Sequence, residues 1–271
     1  MRRVPLYAAA VAVGAFSAFP ILWVLITSLK QRGEIFTDTP DLWPNHPDFG
    51  RYADVLLHSG VGRALVNSLL VAGVSTVIGV IIAAFAAYAV ARFAFPLRRA
   101  FMIAILTTQM FPLVVLIIPL FIVMRRAELL GTYIGLIVVY LAFTVPLAVW
   151  ILRGFIETIP VELEEAALVD GATRFTAMLR IVLPLALPGL ATTATFSFIN
   201  AWNEFMFALT FMNEESKETL PVVLQTFVGR GQTDWPAVMT TSIIYTLPVI
   251  ALFALLRRHL VTGLTSGALK G

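Results

Sequence analysis

Residues 65–91 read LVNSLLVAGVSTVIGVIIAAFAAYAVA, a run without a charged side chain. A helix rises about 1.5 Å per residue, and about 20 apolar residues cross the hydrocarbon core of a bilayer. The run is therefore long enough to span a membrane. Its charges wait at the ends: Arg63 precedes it, and Arg92, Arg98 and Arg99 follow.

Five more runs of this kind flank it, at about 4–29, 100–124, 133–152, 185–212 and 237–256. Together they predict an all-α polytopic membrane protein with six transmembrane helices. The first run follows Met1-Arg2-Arg3 and could be mistaken for a cleaved leader. A leader's apolar part covers only about 7–15 residues and ends in a small-residue cleavage site. This run ends in Thr27-Ser28-Leu29-Lys30, so we expect it to stay as a span. Residues 30–60, with Pro40, Pro44, Pro47 and Gly50, read as a polar loop, and Trp43 and Tyr52 suit a membrane–water interface.

Composition agrees. The 271 residues are 59% hydrophobic and 13% charged, where soluble domains are about 45–50% apolar and about 25% charged. Disorder, a coiled coil and an ordinary cytosolic enzyme are excluded. There is no cysteine, hence no disulfide, thiolate metal site or cysteine nucleophile.

Six spans place both termini on one side. That side carries eleven Lys and Arg against five Asp and Glu, while the other carries eight against ten. The positive-inside rule makes the first side, and both termini, cytoplasmic. Arg125-Arg126 is the dissenting pair, falling outside beside a membrane end.

Catalytic patterns are missing. There is no phosphate-cradling G-x-x-x-x-G-K-[ST], no H-E-x-x-H and no G-x-S-x-G, and His46, His58 and His259 are isolated. Glu204 is the one carboxylate firmly within a span. An ion-coupled carrier or a membrane-embedded enzyme would need clustered intramembrane charges. We expect no catalytic or metal-binding residue, and we expect the energy for any uphill transport to enter from another subunit.

The stretch from Ile159 to Pro184 carries the functional signal. Pro160 suits a first helical turn, where its missing N–H costs nothing. Glu162, Glu164 and Glu165 bring negative charge to the positive end of that helix. Leu163, Ala166, Ala167 and Asp170 follow at helical spacing, and Gly171 tolerates the left-handed conformation that ends a helix. Thr173 can cap a second helix with an apolar stripe of Phe175, Met178, Leu179 and Val182. The alternative is a linker lying on lipid, but surface helices on anionic lipid favour Lys and Arg in place of acids. A docking site for a protein partner fits better.

Here the sequence resembles a family. Glu165-Ala166-Ala167, Gly171 and Ile181-Val182-Leu183-Pro184 match, with the right spacing, the EAA loop of ABC importer permeases. Residues 155–165, Asn200-Ala201-Trp202-Asn203-Glu204-Phe205 and the ending from Leu260 to Gly271 resemble the carbohydrate-importer, maltose-permease (MalG-like) branch. The resemblance implies a type I importer permease fold in one transmembrane domain, with a cytoplasmic EAA coupling loop at 153–184 and a cytoplasmic tail at 257–271. It implies a multi-pass protein of a bacterial or archaeal cytoplasmic membrane, embedded in lipid and binding no nucleic acid. The implied partners are a second, larger permease subunit, a dimer of ATPase subunits and an extracytoplasmic solute-binding protein. ATP and Mg would be held by the ATPase subunits and no cofactor by this chain.

On the same basis Glu164, Glu165, Ala166, Ala167, Asp170, Gly171, Ile181 and Pro184 are expected to couple to the ATPase. Gly263, Thr265, Gly267 and Lys270 are expected to reach it through the tail, where small residues would let the backbone enter a narrow cleft. Gln109, Asn203 and Glu204 are expected to line the pathway or meet the binding protein; Glu204 could equally serve an interhelical hydrogen bond, and for Asn200 that bond is the expected role. Pro112 can kink its helix by freeing a backbone carbonyl, and Asn67-Ser68 suit capping or packing. The implied solute is a sugar or oligosaccharide; a glycerol phosphodiester or a sugar alcohol is the nearest alternative.

Overall fold

The computed structural model describes residues 3–37, 41–229 and 233–268. They form helices and contain no strand. In chain order these are α1 (Arg3–Ser28), α2 (Arg32–Ile35), α3 (Gly50–His58), α4 (Val61–Arg92), α5 (Arg98–Thr108), α6 (Leu113–Arg126) and α7 (Tyr133–Ile156). Next come α8 (Glu162–Val169), α9 (Arg174–Ala177), a π-helical turn at Met178–Val182, α10 (Leu183–Leu185), α11 (Leu187–Trp202) and α12 (Met206–Phe211). A 3₁₀ turn at Glu215–Lys217, α13 (Leu220–Thr226) and α14 (Trp235–Ala268) complete the chain.

Among the described residues four helices are long and apolar enough to cross a membrane: α1, α4, α7 and α14. The protein is a multi-pass membrane protein. Two bent helix pairs raise the number of candidate spans to six if each pair counts as one. The run expected as one helix at 100–124 is broken into α5 and α6, which meet at 98°. The cause is Pro112, which caps α6 with an extended backbone (φ −61°, ψ 125°) and cannot donate to a continuing helix.

The run at 185–212 is divided as well. Helix α11 stops at Trp202, and the Glu204 carboxylate accepts from the N–H groups of Phe207 (2.8 Å) and Ala208 (3.1 Å), which starts α12. At its other end α11 meets the segment Arg174–Leu185 at 76°. The polar loop at 30–60 contains two short helices, α2 and α3. Helix α14 runs past the expected limit at 256 to Ala268, taking in the backbone of Gly263, Thr265 and Gly267. Lys270 lies outside the described residues.

The chain divides into two compact units. The first comprises residues 1–65 and 219–248. Its polar contacts gather at the end of α1. Arg51 donates to the carbonyls of Ser28 (3.2 Å) and Lys30 (2.7 Å), and Thr240 Oγ1 donates to Ser28 (3.3 Å). These bonds satisfy carbonyls that a helix end leaves open. Arg32 pairs with Asp234 in the same unit. The most apolar window of α1 has no buried residue.

The second unit comprises residues 66–218 and 249–271. Its core brings Ala83, Ala84, Ala87 and Tyr88 of α4 against Ala148, Val149, Leu152 and Ile156 of α7, and against Met178, Val182 and Ala186. Alanines on α4 let the backbones approach, as small residues do between membrane helices. Gly189 of α11 is closer still: a Cβ there would stand 2.5 Å from Cγ of Phe155. Past α12, Lys217 hydrogen-bonds Glu214 at 3.1 Å; that bond and the lysine's charge hold the Glu214 carboxyl below its ordinary range.

Candidate functional site

The acidic segment after α7 folds as the sequence leads one to expect, with one shift. Pro160 stands before the helix, which begins at Glu162. Helix α8 ends at Val169, and Gly171 takes φ +87°, a left-handed conformation that costs other residues strain. With no heavy atom within 4 Å of a Cβ at Gly171, the need for glycine there is purely conformational. Thr173 then caps α9, its Oγ1 accepting from the Thr176 N–H at 3.2 Å.

The outer surface of this helix–turn–helix is mixed. Glu162, Glu165, Ala166, Asp170 and Gly171 are exposed, together with the apolar Val161, Leu163, Val169, Phe175 and Leu179. Ala167 and Ile181 are half-buried, and Pro184 is exposed. Of the expected stripe, Met178 and Val182 turn into the core, whereas Phe175 and Leu179 remain outside. Large apolar side chains here lie exposed among carboxylates, a combination that isolated soluble faces rarely show.

Glu164 departs from its neighbours. Expected on the docking face, it is only 4% exposed. Its Oε1 accepts from Arg92 Nε at 2.5 Å, and its Oε2 accepts from the Tyr88 hydroxyl at 2.8 Å. Arg92 also donates to the Ile159 carbonyl at 2.9 Å, tying the elbow between α7 and α8. Phe175 stacks on Phe85 at 6.2 Å between centroids, and Arg174 lies over Phe93 at 5.5 Å. The last turns of α4 and the residues just beyond it thus hold both α8 and α9. Glu164 is unavailable to a partner, and Arg92 and Tyr88 join the site from a helix far away in sequence.

A second feature lies at the break between α5 and α6. A cleft of about 230 Å³ is lined by Gln109, Phe111, Tyr140, Phe143, Asn200, Glu204 and Phe207, among others. Besides capping α12, Glu204 accepts from the Tyr140 hydroxyl at 2.8 Å. Gln109 donates to the Phe143 carbonyl at 3.1 Å, and Asn200 to that of Phe196 at 2.8 Å. The structure therefore brings Gln109, Asn200 and Glu204 to one cleft. Asn203 is exposed at the end of α11 and is not among the lining residues. Aromatic faces beside amides and a carboxylate suit a polyhydroxylated ligand with apolar ring faces. Among the described residues no group of His, Asp and Glu could hold a metal ion.

Residues 75–266 match the profile of the family described as binding-protein-dependent transport system inner membrane component. The chain belongs to this family. Its relatives include the sulfoquinovosyl glycerol transport system permease protein SmoH of Agrobacterium fabrum, 37% identical over 93% of this chain and 89% of that protein. The trehalose transport system permease protein SugB of Mycobacterium tuberculosis is 38% identical over 96% of this chain and 94% of the relative. The trehalose/maltose transport system permease protein MalG of Thermococcus litoralis is 36% identical over 100% and 98%. Among solved structures, a bacterial ABC transporter that imports the acidic polysaccharide alginate superposes with a TM-score of 0.78, at 24% identity, over 94% of this chain and 96% of that one.

This permease is thus a non-catalytic membrane subunit of a binding-protein-dependent ABC importer. The sequence alone misses Arg92 and Tyr88 as members of the loop assembly. Arg92 reads there as an ordinary charge closing a span, and nothing local links it to one acid among three.

Proposed function

We propose that the permease forms half of the translocation pathway for a sugar or oligosaccharide. The loop at 160–184 docks on separate ATPase subunits, which hold ATP and Mg. The observation that carries this reading is the exposed acidic and apolar face of α8 and α9, mounted on α4 through the buried Arg92–Glu164 pair. A lone carrier has no use for such a face. Glu165, Ala166, Asp170 and Gly171 form its contact surface, and Gly263, Thr265, Gly267 and Lys270 extend toward the same partner. Closure of the ATPase pair displaces the docked loop, and the displacement shifts the pathway between inward- and outward-facing states. Such a shift requires the ATPase to contact the two states differently.

A second, larger permease subunit supplies the other half of the pathway. The six-span reading, with both termini cytoplasmic, places the loop on the cytoplasmic side of the cell membrane. The opposite face meets a solute-binding protein. The relatives named above are designated for trehalose, maltose and sulfoquinovosyl glycerol, all of them glycosides. Stacking on Phe111, Tyr140 and Phe143, with hydrogen bonds from Gln109 and Asn200, would accommodate such a solute.

The test is affinity purification of the tagged permease from its own membrane. The expected result is co-purification of an ATPase and a second permease. The binding protein should release a sugar detectable by mass spectrometry. Gradient-driven uptake by this chain alone in proteoliposomes, with no ATPase present, would overturn the reading.

A further inference from the structure

Helix α4 is anchored at both ends. At one end, Arg92 and Tyr88 grip Glu164 of α8. At the other, Asn67 is 7% exposed, and its amide is fully engaged. It donates to the carbonyls of Ser216 (3.0 Å) and Glu218 (2.9 Å), and its Oδ1 accepts from the Tyr133 hydroxyl at 2.9 Å. Those two carbonyls belong to the loop that follows α12. At about 1.5 Å per residue, Asn67 and Arg92 stand roughly 38 Å apart along one helix, so the two joints lie on opposite faces of a bilayer.

The helix between them runs unbroken from Val61 to Arg92. Of the four long helices, α1 contains Pro20, α7 contains Pro146 and α14 contains Pro248, whereas α4 has no proline. Proline is one of the main causes of sharp helix kinks. Helices α7 and α11 are continuous with the docking loop through the chain, but one carries a proline and the other meets the loop segment at 76°. A displacement of α8 and α9 cannot leave α4 behind without tearing a buried ion pair and a ring stack.

We infer that α4 is a strut that carries motion of the docking loop to the loop at 213–219 on the other side of the membrane. Glu164, Arg92 and Asn67 are its positioning residues. Glu164 serves as an internal joint, while Glu165 keeps the ATPase contact. This rests on the docking reading above.

The test uses the assembled importer. Because this chain has no native cysteine, Glu215→Cys gives it a single thiol in the outer loop. Its labelling rate by an impermeant maleimide is read on the isolated band, with and without a non-hydrolysable ATP analogue. In the otherwise unchanged permease the analogue should alter the rate about fivefold or more, the lower end of ordinary allosteric coupling. Glu164→Gln and Asn67→Leu should each remove that response while the ATPase still co-purifies. Their combination should lose no more than either alone, as for two joints of one strut. The exchange Arg92→Glu with Glu164→Arg should restore it.

A normal response in assembled Glu164→Gln overturns the strut, as does a loss that occurs only where the ATPase detaches. Should Glu164→Gln fail to assemble, Asn67→Leu carries the same test, and a normal response there overturns the strut too. No response in the unchanged permease, with ATPase bound, overturns the strut and leaves docking standing, whereas an ATPase that fails to co-purify with the unchanged permease overturns the docking reading.

Discussion

Arg92 and Glu164, distant in sequence, form a buried ion pair with side chains each 6% exposed, and it fastens the end of a transmembrane helix to the acidic helix α8. The Tyr88 hydroxyl occupies the second carboxylate oxygen. Both carboxylate oxygens of Glu164 are engaged inward, and of the three acids in this turn Glu162 and Glu165 remain exposed.

Breaking such a pair from one side leaves a charge stranded in a dry interior, at a cost of about 3–5 kcal/mol, whereas apolar replacement of both partners is often neutral. Arg92→Met alone should therefore lower the thermal midpoint of the detergent-solubilised permease by several degrees. Arg92→Met with Glu164→Met should recover most of the loss. Equal destabilisation by the single and double changes would mean that the pair is not coupled.

Much of this fold is legible in the sequence. The spans α1, α4, α7 and α14 follow from uncharged runs, and the turn at Gly171 follows from glycine after an acidic, alanine-rich helix. Legibility fails where the deciding interaction is nonlocal. Glu162, Glu164 and Glu165 look alike in one helical turn, and only the fold shows that Arg92 claims the middle one. The break at 109–112 is hidden for a different reason. Proline occurs inside several of these helices without breaking them, so Pro112 alone does not announce a 98° turn.

Gly171 offers a graded test of the docking loop. At φ +87°, alanine is strained by about 1–2 kcal/mol with no steric clash, while proline, locked near φ −65°, cannot adopt the turn. Gly171→Ala should reduce sugar uptake partially, and Gly171→Pro should abolish it while the permease still reaches the membrane. Normal uptake by Gly171→Pro in intact cells would remove the turn from the coupling route.

Packing of α7 on α11 depends on the missing side chain of Gly189. A methyl group there would press on the Phe155 ring at 2.5 Å. Overpacking of this kind costs about 1–3 kcal/mol. Gly189→Ala should lower thermal stability in detergent by that amount, and Phe155→Leu in the same chain should relieve it. If Gly189→Ala melts like the unchanged permease, the helices separate more easily than the close approach implies.

Glu204 has two duties that a single substitution can divide. It caps α12 through the Phe207 and Ala208 N–H groups and accepts from Tyr140, and Glu204, Tyr140 and Phe207 line the cleft. Glu204→Ala strands those donors at about 1–3 kcal/mol for each buried group left unsatisfied, so it should lower both stability and uptake. Glu204→Gln removes the charge and keeps one acceptor oxygen, enough for the Ala208 N–H and the Tyr140 hydroxyl, while the bond from the Phe207 N–H is lost. If the carboxylate serves only to assemble the helices, Glu204→Gln should transport normally. If it also meets the passing solute, stability should hold while the KM for uptake rises. Radiolabelled sugar uptake, measured alongside a melting curve of the purified complex, separates the two. A loss of uptake that tracks stability in both variants would confine Glu204 to architecture.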